Sequence, residues 1–277
     1  MRLVYFGTPA MSVPPLQALV AAGHDVALVV TRADKRRGRG GELSPSPVKA
    51  AALELGIPVS HVVDDVLGHG IELGVVVAFG QLIKPHVLAE VPMVNLHFSL
   101  LPRWRGAAPV ERALLAGDTE TGVCLMQLEQ SLDTGPIYDT VKVPIAATTS
   151  ADVLRRELMA VGTQQLVRCL AAPLPVPVPQ QGEPLYAAKI VPSELRIDWS
   201  QPAAHIDRLV RLGGAWAVFR GKRVKVLSVE TVAIGEPSLE VPVPGLRLVV
   251  VQPEGKAPMA FADFARGARP EPNEMFE

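Results

Sequence analysis

Apolar positions along the first 170 residues recur in two rhythms. Residues 2–6 are a short, mostly apolar run ending in the turn Gly7-Thr8-Pro9, which predicts a buried strand. Residues 13–22 carry helical spacing with Gly23 as a stop, and residues 26–31 form a second apolar run. Strand, helix and strand in that order predict a parallel sheet, because parallel strands need a crossover. The pattern continues with a helix over 47–55 and a strand over 74–78, whose continuous valines suit a strand covered on both faces. Strands are predicted over 94–98 and 122–128, with a helix over 108–116 between them. A helix over 151–170 closes this first unit.

The rhythm then changes. Residues 173–184 alternate proline with apolar residues, a segment that is extended and stiff and reads as a linker. Beyond it come a short helix over 203–212 and short strand-like runs at 217–219, 223–229 and 246–252, the pattern of a small, partly closed β-barrel. The expected division is a catalytic α/β domain over 1–172, a proline-rich linker over 173–194 and a second domain over 195–277. No internal repeat is visible.

Composition narrows the class. A chain of 277 residues has room for one large domain or two unequal ones. With 48% hydrophobic and 20% charged residues it reads as a globular enzyme and not as a disordered or fibrous chain. The formal net charge of −1 means that any nucleic-acid partner is held by local basic patches. Cys124 and Cys169 are too few for a disulfide framework and lack zinc-like spacing, which points to thiols in a reducing compartment. The first residues lack the apolar core and cleavage site of a secretory signal. The best apolar run, 73–83, is about half of what a membrane-spanning helix needs. A cytoplasmic protein without membrane association is expected.

Candidate chemistry begins at Val94-Asn95-Leu96-His97-Phe98-Ser99. Strand alternation puts Asn95, His97 and Ser99 on one face. A buried polar group without a partner costs about 1–3 kcal/mol, so these three need partners. In an open parallel sheet, ligands collect at the carboxyl ends of strands, where this face emerges. Alone, the triplet is more simply served by a hydrogen-bonded polar patch, and Asp133, in the loop Ser131-Leu132-Asp133-Thr134-Gly135-Pro136, by an Asx-type turn. Together they form a chemical set. An amide donates to a developing oxyanion, an imidazole carries a proton, and a carboxylate orients the imidazole. Acyl transfer to an amine needs these roles and no covalent intermediate.

The run from Asn95 through Leu101-Pro102-Arg103-Trp104-Arg105-Gly106 to Pro109 resembles the active-site signature of the methionyl-tRNA formyltransferase family. Leu132-Asp133-Thr134-Gly135 resembles that family's second signature. Phe6-Gly7-Thr8-Pro9, Phe79-Gly80-Gln81-Leu82-Ile83, Ala188-Lys189-Ile190 and Ile197-Asp198-Trp199 resemble further landmarks, so the likeness covers nearly the whole chain. The resemblance implies a Rossmann-like formyltransferase domain followed by an OB-like barrel. It also implies transfer of the formyl group of 10-formyltetrahydrofolate to initiator methionyl-tRNA, without a metal, by a monomer.

By the same resemblance Asn95, His97 and Asp133 are the catalytic triplet. Phe79, Gly80, Gln81, Leu82 and Ile83, together with the Asp133 loop, lie against the pteridine, and Ser99, Leu100, Leu101 and Pro102 line the entrance. Lys84-Pro85 departs from the family pattern beside this pocket. The basic, glycine-rich loop 32–41 resembles the insertion that enters the tRNA acceptor stem, which makes Arg36, Arg37 and Arg39 phosphate contacts. Lys189, Arg208 and Lys222 extend a positive strip in the second domain. The segments at Gly213-Gly214 and between Glu230 and Leu246 are shorter than the family usually shows. Rival readings keep the first domain but formylate an amino sugar, hydroxyornithine or glycinamide ribonucleotide, hydrolyse the folate to formate, or bind RNA without catalysis. Trp104, Trp199 and Trp216 read as packing residues. The remaining histidines and Asp64-Asp65 are left outside the site.

Overall fold

The amino-terminal run forms β1 (Arg2–Gly7), crosses through α1 (Val13–Ala21), and returns as β2 (Asp25–Val30) in a parallel pair. β1 alternates Leu3 and Tyr5 with Val4 and Phe6, and all four are fully buried, as expected of a strand covered on both faces. Each such side chain contributes roughly 1.5–3 kcal/mol relative to an exposed position. The structure is a computed structural model that describes residues 1–37, 41–233, 238–271 and 273–277.

The flanks of the basic loop pair as a short antiparallel hairpin, β3 (Lys35–Arg37) with β4 (Glu42–Ser44). Arg39 lies outside the described residues. Ser46 then caps α2 (Pro47–Glu54): its hydroxyl accepts from the Lys49 amide at 3.0 Å, and Pro47 occupies the first helical turn, where a missing N–H costs nothing. β5 (Val59–Ser60), β6 (Leu73–Val77), α3 (Pro85–Glu90) and β7 (Met93–His97) follow. β8 (Arg105–Gly106), α4 (Pro109–Ala116), β9 (Glu120–Gln127), β10 (Ile137–Pro144), α5 (Ala151–Leu170) and β11 (Tyr186–Ala187) complete the run.

The large sheet has the order β10-β9-β7-β6-β1-β2-β5. Its five strands from β7 to β5 are parallel, as the strand–helix–strand rhythm predicts. The sheet then continues past β7 with β9 and β10, both antiparallel to their neighbours. β10 was not predicted. It is an edge strand whose only fully buried residue is Val143, so its apolar signal is thin. Beneath β1, β2, β6 and β7 lies a core of Val4, Phe6, Leu28, Val30, Val76, Phe79, Ile83 and Met93, with the Phe6 and Phe79 rings edge to face at 5.3 Å.

Two compact units emerge. The first comprises Met1–Pro109, Glu120–Pro144 and Arg155–Ala187, and the second Val110–Thr119, Ile145–Leu154 and Ala188–Glu277. The proline-rich stretch therefore groups with the first unit as far as Ala187. Val178 exchanges two backbone hydrogen bonds of 2.8 Å with Ile137, and β11 pairs with β8. In the second unit, α6 (Ala203–Leu212) precedes β12 (Trp216–Phe219), β13 (Lys222–Thr231), β14 (Leu246–Pro253) and β15 (Met259–Ala260), an antiparallel sheet in that order, followed by α7 (Phe261–Ala268). β13 alternates exposed Lys225 and Leu227 with buried Val224 and Val226. The rings of Phe219, Phe264 and Phe276 cluster behind it, with Phe219 5.5 Å from each of the other two. Among the described residues, no helix is long and apolar enough to cross a membrane.

Candidate active site

β7 carries Asn95 and His97 out of the sheet at alternate positions, opposite Met126 and Cys124 of β9. Both side chains are over nine-tenths buried, and both line a cavity of about 500 Å³ beyond the carboxyl end of β6. Asp133 lies on the same wall. It comes from the loop after β9, and its backbone is in the left-handed region at φ 51°, a conformation that aspartate tolerates better than most residues. The three residues singled out in the sequence thus meet at one cavity.

Each of the three has a distinct set of polar neighbours. One Asp133 carboxylate oxygen, Oδ2, accepts from the Gly106 amide at 2.8 Å and lies 3.6 Å from His97 Nδ1. His97 Nε2 is 2.9 Å from the Trp104 carbonyl. A carbonyl oxygen only accepts, so Nε2 carries its hydrogen and Nδ1 is the nitrogen left to exchange a proton beside the carboxylate. The Asn95 amide has no hydrogen-bond partner among the described residues. A donor left open at a cavity wall is what an incoming oxyanion requires.

The local sequence builds this geometry through two close approaches. Gly106 has φ 122°, and a Cβ there would sit 2.9 Å from the Ala187 carbonyl oxygen. At Gly135 a Cβ would fall 1.9 Å from the Gln127 carbonyl oxygen. Only glycine lets the Asp133 loop close on the end of β9 while the Gly106 amide stays open to Asp133. Trp104, at φ 65°, turns the chain between His97 and Gly106.

Phe79, Gly80, Gln81, Leu82 and Ile83 all line the cavity. Phe79 and Ile83 double as core residues, while Leu82 is 77% exposed at the rim. Lys84-Pro85 lies just past this wall, where Pro85 opens α3 and exposed Lys84 faces Asp64 at 3.7 Å. Ser99, Leu100, Leu101 and Pro102 are not on the cavity wall. The Ser99 hydroxyl donates at 2.6 Å to the Arg103 carbonyl within its own turn, and Leu101 packs with Cys124 and Met126. Ser131 and Leu132, in the Asp133 loop expected beside the pteridine, are on the wall, and wall residues not anticipated from the sequence are Val76, Ala78, Leu96, Phe98, Gly106, Ala107, Pro109, Leu128, Glu129 and Gln130.

Of the basic residues, Arg36 and Arg37 lie on β3, with the Arg36 side chain exposed, and Lys189 and Lys222 are exposed. Arg208 is half-buried, and its Nε donates to the Leu115 carbonyl at 3.0 Å, which satisfies the end of α4. Arg223 stacks on Trp216 at 4.2 Å. Among the described residues, no group of three or more His, Cys, Asp or Glu is arranged to hold a metal ion.

The family described as "Formyl transferase" matches residues 1–170, and "Formyl transferase, C-terminal domain" matches residues 189–269. A methionyl-tRNA formyltransferase of Dinoroseobacter shibae is 48% identical over 82% of this chain and 81% of its own. One of Roseobacter denitrificans is 41% identical over 100% of this chain and 99% of its own. A solved N-formyltransferase from Helicobacter canadensis, in complex with folinic acid and dTDP-3-aminofucose, has a TM-score of 0.68. It covers 89% of this chain and 98% of its own at 16% identity, a likeness of fold alone. Matched by one family's domains over residues 1–170 and 189–269 and by a relative along nearly its whole length, the chain belongs to the methionyl-tRNA formyltransferase family.

Proposed function

We propose that this chain transfers the formyl group of 10-formyltetrahydrofolate to the amino group of initiator methionyl-tRNA. The observation that carries the chemistry is the meeting of Asn95, His97 and Asp133 at one cavity in a chain of this family. A volume of about 500 Å³ is within the usual range for a small-molecule pocket. Its wall combines apolar Phe79, Leu82, Ile83, Leu128 and Leu132 with polar Gln81, Gln130 and Ser131, a lining suited to a flat heterocycle with hydrogen-bonding edges.

The amine nitrogen adds to the formyl carbon, and the carbonyl electron pair moves to oxygen. The Asn95 amide donates to that oxyanion. His97 Nδ1 takes the proton released by the amine, steadied by Asp133, and in that protonated form adds a second stabilising charge. Collapse of the intermediate breaks the bond to the folate nitrogen, which receives the proton from His97. The formyl group and one proton have then changed places, and no metal is invoked. Orientation of imidazole by carboxylate and donation to an oxyanion are each worth orders of magnitude in rate.

Arg36, Arg37 and Arg39 of the first unit, with Lys189, Arg208 and Lys222 of the second, contact tRNA phosphates in this reading. Arg208 offers its terminal nitrogens, because Nε is held by Leu115. The catalytic domain is assigned to 1–172, the linker to 173–194 and the tRNA-binding domain to 195–277, in a cytoplasmic monomer. The test is a formyl-transfer assay offering methionyl-tRNA, free methionine and amino sugars side by side. Turnover with methionyl-tRNA alone is expected. Preference for an amino sugar overturns the acceptor while leaving the chemistry in place.

A further inference from the structure

Asp133 sits on a loop whose backbone is in the left-handed region, and its orientation depends on what holds that loop. The proline-rich stretch supplies the hold. Val178 is locked to Ile137, the residue that follows the loop, by paired backbone hydrogen bonds. Two residues on, Gln180 Nε2 donates to the carbonyls of both Asp133 and Gly135, each at 2.8 Å. The other end of the same amide, Oε1, accepts from Arg105 at 3.0 Å to Nε and 2.6 Å to Nη2. Arg105 adjoins Gly106, whose amide grips Asp133 Oδ2, and the Leu185 carbonyl accepts from the Arg105 amide at 2.8 Å. One side-chain amide therefore ties together the loop that presents the carboxylate and the turn that receives it.

We infer that Gln180 is a positioning residue for formyl transfer, setting the approach of Asp133 to His97 without itself lining the cavity. The arrangement uses all four hydrogen-bonding capacities of the primary amide: two donors to two carbonyls, and one oxygen to a guanidinium fork. No other neutral side chain of that length offers the same set. The inference rests on the catalytic reading of Asn95, His97 and Asp133 given above.

The experiment measures steady-state formyl transfer and its pH profile for Gln180→Ala, Gln180→Glu and, as a control on the site, Asp133→Ala. Displacements of about 1 Å in an oriented site cost on the order of a hundredfold. Gln180→Ala should accordingly lose about ten- to a hundredfold in kcat, with KM for the folate nearly unchanged and the inflection of its pH profile displaced. Gln180→Glu keeps the volume and the acceptor for Arg105 but sets a carboxylate against the Asp133 and Gly135 carbonyls. The same loss in kcat at neutral pH, with melting unchanged, is expected. Wild-type kcat in both variants, or a loss that only tracks the folded fraction with an unmoved inflection, overturns the role of Gln180. Full turnover by Asp133→Ala overturns the site itself, so the two failures are told apart.

Discussion

Asn95→Ala removes a buried amide for which the described residues supply no partner, and its effects on chemistry and on folding should diverge. Loss of a single donor to a developing oxyanion lowers kcat by about 10²–10³-fold, or roughly 2.7–4 kcal/mol of transition-state stabilisation. KM should change little, because the interaction forms only when charge appears on oxygen. Folding responds far less. The Asn95 amide faces the cavity and is not one of the sealed, unpartnered polar atoms among the described residues, so alanine neither forfeits a protein hydrogen bond nor relieves a buried one. The position already borders an open cavity of about 500 Å³, so truncation creates no new sealed void. For a protein of this size 1 kcal/mol corresponds to roughly 2–4 °C in Tm. The variant should melt within a few degrees of the parent while its single-turnover rate of formyl transfer collapses. A variant that melts well below the parent, or that turns over normally, refutes the assignment of Asn95 as an open oxyanion donor.

Gly106→Ala should destabilise by about 1–3 kcal/mol, since φ 122° is strained for alanine and its Cβ would meet the Ala187 carbonyl at 2.9 Å; a lowered urea midpoint together with lost activity is the expected reading. Arg39→Ala should weaken methionyl-tRNA use and flatten the log–log salt dependence by about one unit, and an unchanged slope removes this arginine from the phosphate contacts. Glu194 is held below the ordinary carboxylate range by hydrogen bonds from Arg112 and from the Val191 amide. Its lowered folded-state value means that its contribution is complete above the ordinary carboxylate pKa and fades as pH falls through the lowered one. Thermal melts of Arg112→Gln should therefore converge on the parent's at acid pH and fall below them near neutrality; a gap that does not change with pH counts against the linkage.

The parts of the site readable in the sequence are those with a local rule behind them. Asn95 and His97 share a face because strands alternate, and β7 obeys that rule. The crossover logic of β1, α1 and β2 yields a parallel pair for the same reason. What eluded sequence reasoning depends on distant partners. Ser99 and Leu101 were expected at the entrance, yet the turn through Trp104, at a positive φ no residue pattern announces, directs Ser99 to Arg103 and Leu101 to the core. Arg208 stands among exposed cations in the sequence, but a carbonyl at the end of α4, 93 positions away, takes its Nε. α7 carries Phe261 and Phe264 at helical spacing, a signal present but too short to stand out before the ring cluster is seen.

The antiparallel insertion of β9 beside β7 carries a consequence for the cavity wall. Because Gln127 lies opposite Val94, β9 ends at the start of β7, and the chain must travel from Leu128 to Asp133 along the cavity to reach the histidine. The neck of that excursion is shut: the Gln127 amide donates to the Pro136 carbonyl at 2.9 Å. Glu129, Gln130, Ser131 and Leu132 form an exposed arc between a fixed base and a fixed carboxylate. Substitutions in that arc can therefore reshape the cavity wall while Asp133 keeps its place beside His97.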